Sequence, residues 1–175
     1  MMAVHARPGN HSEWYTPPKY IEAAREVMGS IDFDPYSSEK ANMIVKATTF
    51  NDIELPDEFQ WVGNCWMNPP YSDYRGQGDD CVLEMTREFI HGYVDQAVIL
   101  VNQSILYQPG CQMALKNGCI CIVDHRIKFI NGFTNEEQAS PPQANAFIFL
   151  TPYGADEYRF AEIFSQFGAV LMRGS

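Results

Sequence analysis

Apolar residues follow two different rhythms along this chain, and the rhythms alternate. Gln96–Val101, Cys119–Val123 and Ala146–Leu150 are nearly continuous apolar runs with no period-two alternation. Such runs predict short strands covered on both faces. Between them, apolar residues recur at helical spacing: Ile21, Ala24, Val27 and Met28; then Val82, Met85 and Phe89; then the segment Ala155–Phe164. Punctuation sharpens the picture. Pro17-Pro18 suits the first turn of a helix, with Thr16 as its N-cap and Gly29 as its stop. A short strand is expected at Ile31–Asp34, halted by Pro35, and residues 35–62 read as mostly irregular. Asn64–Met67 reads as a strand, Ser72–Asp80 as a Gly-rich loop, and Cys81–Gly92 as a helix. Ile105–Lys116 is expected to be helical with an interruption at Pro109-Gly110, Asn131–Gln143 to be a long loop, and Ala169–Met172 a last strand.

Strands alternating with helices predict an α/β layered protein with a mostly parallel sheet and helices on both faces. In such a sheet the site is expected at the carboxyl ends of the strands. The 175 residues suit one compact domain, expected over residues 13–173 behind a flexible terminus at 1–12. No apolar run approaches the roughly 18 residues of a membrane span, and Met1–Asn10 lacks an apolar leader. A cytoplasmic protein without a membrane partner is therefore expected. Cys65, Cys81, Cys111, Cys119 and Cys121 show no C-x-x-C spacing and read as buried, reduced thiols. With the four histidines scattered, no metal site is assigned. The net charge of -10 changes the picture more: phosphate contacts need cations, so any nucleic acid is expected to bind weakly or with help from a protein partner.

Chemistry concentrates in three short segments. Asn68-Pro69-Pro70-Tyr71 follows a predicted buried strand. The two prolines stiffen the backbone and remove N–H donors, and the Asn68 carbonyl adds an acceptor. An acceptor-only loop suits an amino group: two accepted N–H bonds favour a more pyramidal nitrogen, whose lone pair can then attack an electrophilic methyl. Tyr71 offers a flat face for an extruded base. Asp32-Phe33-Asp34-Pro35 places Asp34 at a strand end, where it can meet a cationic amino group or ribose hydroxyls; Ser37, Ser38 and Asn42 follow as small polar groups. No G-x-G follows this strand. Trp14-Tyr15-Thr16-Pro17 sets two aromatics beside a helix start, suited to covering an adenine or a sulfonium.

In this order, the three segments resemble those of phage-type DNA adenine N6-methyltransferases of the Dam-like family. The likeness continues through Arg126-Ile127-Lys128-Phe129 and Pro141-Pro142, and covers most of residues 12–172. The resemblance implies a Rossmann-like class I methyltransferase fold, S-adenosyl-L-methionine as cofactor and DNA as partner. It implies cofactor contacts from Trp14, Tyr15, Thr16, Pro17, Asp34, Pro35, Ser37, Asn42 and Asp52. It makes Asn68, Pro69, Pro70 and Tyr71 catalytic, and Arg75, Arg126 and Lys128 candidates for substrate phosphates. Tyr36 directly after Pro35 departs from the small residue usual there, and the length leaves no room for a separate target-recognition domain. Two other readings stay open: an amino-group methyltransferase acting on RNA or protein glutamine, and a catalytically silent protein that binds cofactor or a host protein.

Overall fold

The computed structural model describes residues 13–52, 59–71 and 78–174. The terminus at 1–12, expected to be flexible, and most of the expected Gly-rich loop lie outside the described residues. In chain order the elements are β1 (Trp14–Tyr15), α1 (Pro18–Met28), β2 (Phe33–Ser37), α2 (Glu39–Val45), β3 (Thr49–Asp52), β4 (Gly63–Met67), α3 (Gly78–Ile90), β5 (Val94–Asn102), α4 (Pro109–Lys116), β6 (Gly118–Val123), β7 (Ile130–Asn131), β8 (Asn145–Leu150), α5 (Ala155–Phe164) and β9 (Gly168–Leu171). Seven strands form one sheet in the order β3-β2-β4-β5-β8-β6-β9, and β1 pairs with β7 in a separate ribbon.

Alternate residues of each strand feed opposite layers. On β5, Val98 and Leu100 pack with α1 and α5 through Ile21, Ala24, Phe160 and Phe164, beside Phe147 and Phe149 of β8. Ala97, Ile99 and Val101 turn to the other face, against Val82 and Met85 of α3 and Cys111 and Ala114 of α4. The apolar runs thus have the physical cause expected of them: both faces are covered by helices.

The sheet is mixed, which corrects the mostly parallel arrangement expected from the sequence. β3, β2, β4 and β5 are mutually parallel, but β8 is antiparallel to both β5 and β6, and β9 is antiparallel to β6. Unbroken apolarity reports burial on two faces and carries no information on direction. The informative sign is the stretch between β6 and β8, which has no helical pattern and so cannot serve as a parallel crossover.

Local chemistry sets the element ends. α1 begins at Pro18, and Pro17 occupies the capping position without a side-chain bond. Thr16 is therefore one residue too early to cap the helix, contrary to the sequence expectation. Gly29 closes α1 at φ 88°, returning its N–H to the Arg25 carbonyl at 2.7 Å. Pro35 does not stop β2. The strand runs on to Ser37, with its register on β3 shifting between Asp34 and Ser37, an irregularity that accommodates a residue with no N–H to donate. Residues 35–62, expected to be irregular, hold α2 and β3; Ser38 caps α2 by accepting the Ala41 N–H at 3.1 Å. α3 starts at Gly78, so the end of the expected loop is helical, with Asp79 and Asp80 in the first turn.

All five cysteines are buried and unbridged. Cys65, Cys81 and Cys111 lie in the α3/α4 layer; Cys119 and Cys121 lie in the α1/α5 layer. Burial raises every one of these thiols, to about 12 for Cys111, Cys119 and Cys121.

Candidate active site

Strand order reverses beside β2. From β2 the chain passes through α2 to β3 on one side, then returns to form β4 on the other side of β2. A crevice between strands whose connections depart in opposite directions is where open α/β sheets bind ligands, at the carboxyl ends. β2 and β4 pair at Phe33 and Cys65, and beyond that pair they lead into Asp34–Ser38 and Asn68–Tyr71 respectively. Two of the chemically suggestive segments therefore flank the switch point directly.

Asp34 is 2% exposed. Burial raises its carboxyl from the ordinary value of 3.8 to about 7, against the opposing pull of the Tyr36 backbone N–H and the Ser37 side chain. The Tyr36 N–H reaches Asp34 Oδ1 at 3.1 Å across Pro35. Ser37 is buried too. Asp32 has a different role: its Oδ2 accepts the Asn64 N–H at 2.9 Å and pins the start of β4. Gly63 is needed there, at φ 69°, because a Cβ would lie 2.6 Å from Asp32 Oδ2.

The third segment joins the other two. Asn68 Nδ2 donates to Thr16 Oγ1 at 3.4 Å, which sets the Asn68 amide with its carbonyl turned away from Thr16. Thr16 is buried. Tyr15 is also buried and its hydroxyl donates to Glu13; its own ionisation is pushed up to about 12, chiefly by burial and then by Glu13, with the nearby Ser38 side chain acting the other way. Trp14-Tyr15-Thr16 thus spans from the end of β2 to the end of β4. β7 holds it in place, pairing Trp14 with Asn131 and Tyr15 with Ile130. Gly132 permits this closeness, since a Cβ there would approach the Tyr15 ring at 2.9 Å. The stretch 131–143, expected to be loop alone, contributes to β7 in this ribbon.

Tyr71 is held at both ends. Its hydroxyl accepts the backbone N–H of Asn102, the last residue of β5, at 2.8 Å. The edge of its ring lies so close to Gly78 that a Cβ there would come within 2.6 Å of Cε1. Burial raises the phenol well above its ordinary value. The ring orientation is thereby set by the sheet and by α3. Pro69 is buried and Pro70 half-buried.

The remaining sequence candidates fall as follows. Trp14 is 38% exposed on the ribbon, and Pro17 is half-buried. Pro35 is buried within β2. Asn42 gives both ends of its amide to Ala47, donating at 3.2 Å and accepting at 2.9 Å, and so closes the end of α2. Asp52 ends β3 opposite Ser37. Arg126 is exposed and donates to the carbonyls of Pro141 and Pro142. Lys128 is exposed on the segment that runs into β7. Arg75 lies outside the described residues. Ser38, one of the small polar groups noted after Asp34, caps α2. Asn102 and Asp79 were not foreseen, because they act through long-range contacts that no local pattern encodes.

A mixed α/β sheet with a buried carboxyl at the end of β2 and the Asn68–Tyr71 loop at the end of β4 places both segments at the switch point. Residues 5–166 match the family DNA N-6-adenine-methyltransferase (Dam), and the chain belongs to that family. Membership carries the general activity of the family, methylation of the N6 amino group of adenine in DNA. No curated protein matches the chain. Among the described residues, no helix is long and apolar enough to cross a membrane.

Proposed function

We propose that this chain transfers a methyl group from S-adenosyl-L-methionine to the N6 amino group of an adenine flipped out of DNA into the crevice between β2 and β4. The observation that carries the reading is that Asn68, at the end of β4, bonds Thr16 of the aromatic segment, while the neighbouring strand β2 carries the buried Asp34. The cofactor fits this donor set. Asp34 is a desolvated carboxyl whose ionised form gains from a cationic amino group or ribose hydroxyls. Thr16, Ser37, Trp14 and Asp52 are the further residues proposed to contact the cofactor. When bound, the cofactor supplies an electrophilic methyl on a sulfonium.

The residues of the chain then position and polarise. The Asn68 carbonyl and the Pro69 backbone carbonyl accept the two N–H groups of the base, favouring a pyramidal nitrogen whose lone pair faces the methyl. The nitrogen becomes a strong acid only after it gains the methyl, so its proton leaves without a strong base at the site. Tyr71, fixed by Asn102 and Gly78, presents its ring to the extruded base. Arg126 and Lys128, both exposed, are the cations proposed to meet phosphates, together with Arg75, which lies outside the described residues. The net charge of -10 leaves few cations for this task, so affinity for naked DNA is low and a protein partner aids recruitment.

The test is incubation with unmethylated DNA and isotopically labelled cofactor, then digestion and mass spectrometry of the nucleosides. Labelled N6-methyladenine supports the reading. Label that appears only in RNA or protein overturns the choice of substrate; absence of cofactor binding by calorimetry overturns the reading as a whole.

A further inference from the structure

We propose that Asn145 is a positioning residue that holds the Asn68–Tyr71 loop in place through Asn102. The proposal rests on the reading above, in which Tyr71 belongs to the reacting site. Asn145 opens β8 directly opposite Asn102, the last residue of β5, and is 2% exposed. Its Nδ2 donates to Asn102 Oδ1 at 3.1 Å and to the Val101 carbonyl at 3.5 Å. Its backbone carbonyl accepts from Gln103 Nε2 at 2.8 Å. Asn102 in turn donates its backbone N–H to the Tyr71 hydroxyl at 2.8 Å. An unbroken chain of contacts thus runs from a buried amide to the last residue of the acceptor loop.

Asn145 Oδ1 is a buried side-chain oxygen with no hydrogen-bond partner among the described residues. A buried acceptor left unmet costs about 1–3 kcal/mol. Turning the amide over would not help, since Oδ1 would then face two other acceptors, Asn102 Oδ1 and the Val101 carbonyl. The unmet oxygen is therefore the consequence of aiming Nδ2 at Asn102. The rest of β8, Ala146–Leu150, is wholly apolar and buried, so an apolar residue at position 145 would extend the core without this penalty. Natural cores tolerate unmet polar atoms chiefly where geometry matters more than stability. Here the geometry served is that of the β5 end, which sets the Tyr71 ring and, with it, the spacing between the ring and Asn68.

The experiment pairs Asn145→Leu, which keeps the number and branching of side-chain heavy atoms, with Tyr71→Phe in a double-mutant cycle. Asn145→Leu is expected to melt at or above the wild-type temperature, because Asn102 is only half-buried and its Oδ1 can turn to water. Its kcat falls about ten- to a hundredfold, as expected of a misplaced reacting group, while cofactor KM stays within about threefold, since the chain leads to the acceptor loop and not to Asp34. In the Tyr71→Phe background the same substitution has little further effect. Independently of any activity, amide exchange at Asn102 speeds up in Asn145→Leu, because the end of β5 that aims this N–H at the Tyr71 hydroxyl loses its side-chain anchor. Should Asn145→Leu fold poorly, Asn102→Ala breaks the same link from its half-buried side and is expected to show the same split. Unchanged kcat and unchanged Asn102 exchange in a folded variant overturn the proposal, as do fully additive effects in the cycle. If the wild-type protein methylates nothing, the functional reading fails, yet faster Asn102 exchange would still support the structural link.

Discussion

Replacing Asp34 by asparagine removes a buried charge and keeps its shape, and the consequence for stability can be worked out. In the folded protein Asp34 titrates near 7, against 3.8 for an unperturbed group. The folded value is the higher one, so the protonated carboxyl favours the native state. That contribution is fully present below about pH 3.8 and is lost as pH rises through about 7. At about 1.36 kcal/mol per pH unit the whole effect amounts to about 4 kcal/mol, of which about 2–3 kcal/mol falls between pH of about 5 and about 8.5. The amide of the Asp34→Asn variant has no proton to lose. Denaturant unfolding of both proteins without cofactor, at the two ends of that range, should therefore show the wild type losing about 2–3 kcal/mol more than Asp34→Asn. Titrating groups elsewhere are common to both and cancel. Cofactor affinity should fall in the variant above about pH 7, where the wild-type carboxyl is ionised and the neutral amide cannot compensate a cation. Parallel stability profiles for the two proteins would refute the claim that burial holds this carboxyl high, and with it the electrostatic basis for placing the cofactor beside β2.

Other outcomes follow from single contacts. Asn68→Ala should cut turnover about a hundredfold or more with cofactor affinity nearly unchanged, measured by labelled methyl transfer and calorimetry; wild-type turnover in this variant would dismiss Asn68 as the amino-group acceptor. Gly78→Ala puts a methyl 2.6 Å from the Tyr71 ring, and should cost about 1–3 kcal/mol in thermal unfolding as well as turnover. Asp79→Ala strips α4 of the carboxylate that accepts the Gly110 and Cys111 N–H groups at 2.8 and 2.7 Å; a loss of about 1–2 kcal/mol is expected, and a neutral result would show that water replaces the cap.

How much of this was legible in the sequence depended on distance along the chain. Helices and strands whose signal is local, such as α1 with Gly29 behind it or β5 with its apolar run, fell within a residue or two of expectation. Asn68–Tyr71 and Asp34 could be singled out because proline and buried-strand context are also local. Four kinds of information were absent. Strand direction at β8 is set by the path of residues 124–144. The short elements α2 and β3 hold too few residues to show a period; α2 is closed by the Asn42 amide on Ala47 and β3 is held by its pairing with β2. Thr16 looked like a helix cap by type, yet Pro17 displaced the helix start and left its hydroxyl to Asn68. Partners such as Asn102 and Asn145 lie far from Tyr71 in sequence and meet only once the sheet has formed.

The distribution of the thiols gives the folded protein an internal clock. Two cysteines belong to one helical layer and three to the other, all buried and all with ionisation suppressed. Since the thiolate is the reactive form, an alkylating reagent can modify a given cysteine only when its layer opens. Pulse labelling followed by peptide mapping would then time the opening of each side of the sheet separately. Equal rates for both sets would mark a single cooperative unit, and earlier labelling of Cys65, Cys81 and Cys111 would mean that α3 and α4, which follow the acceptor loop, come away first.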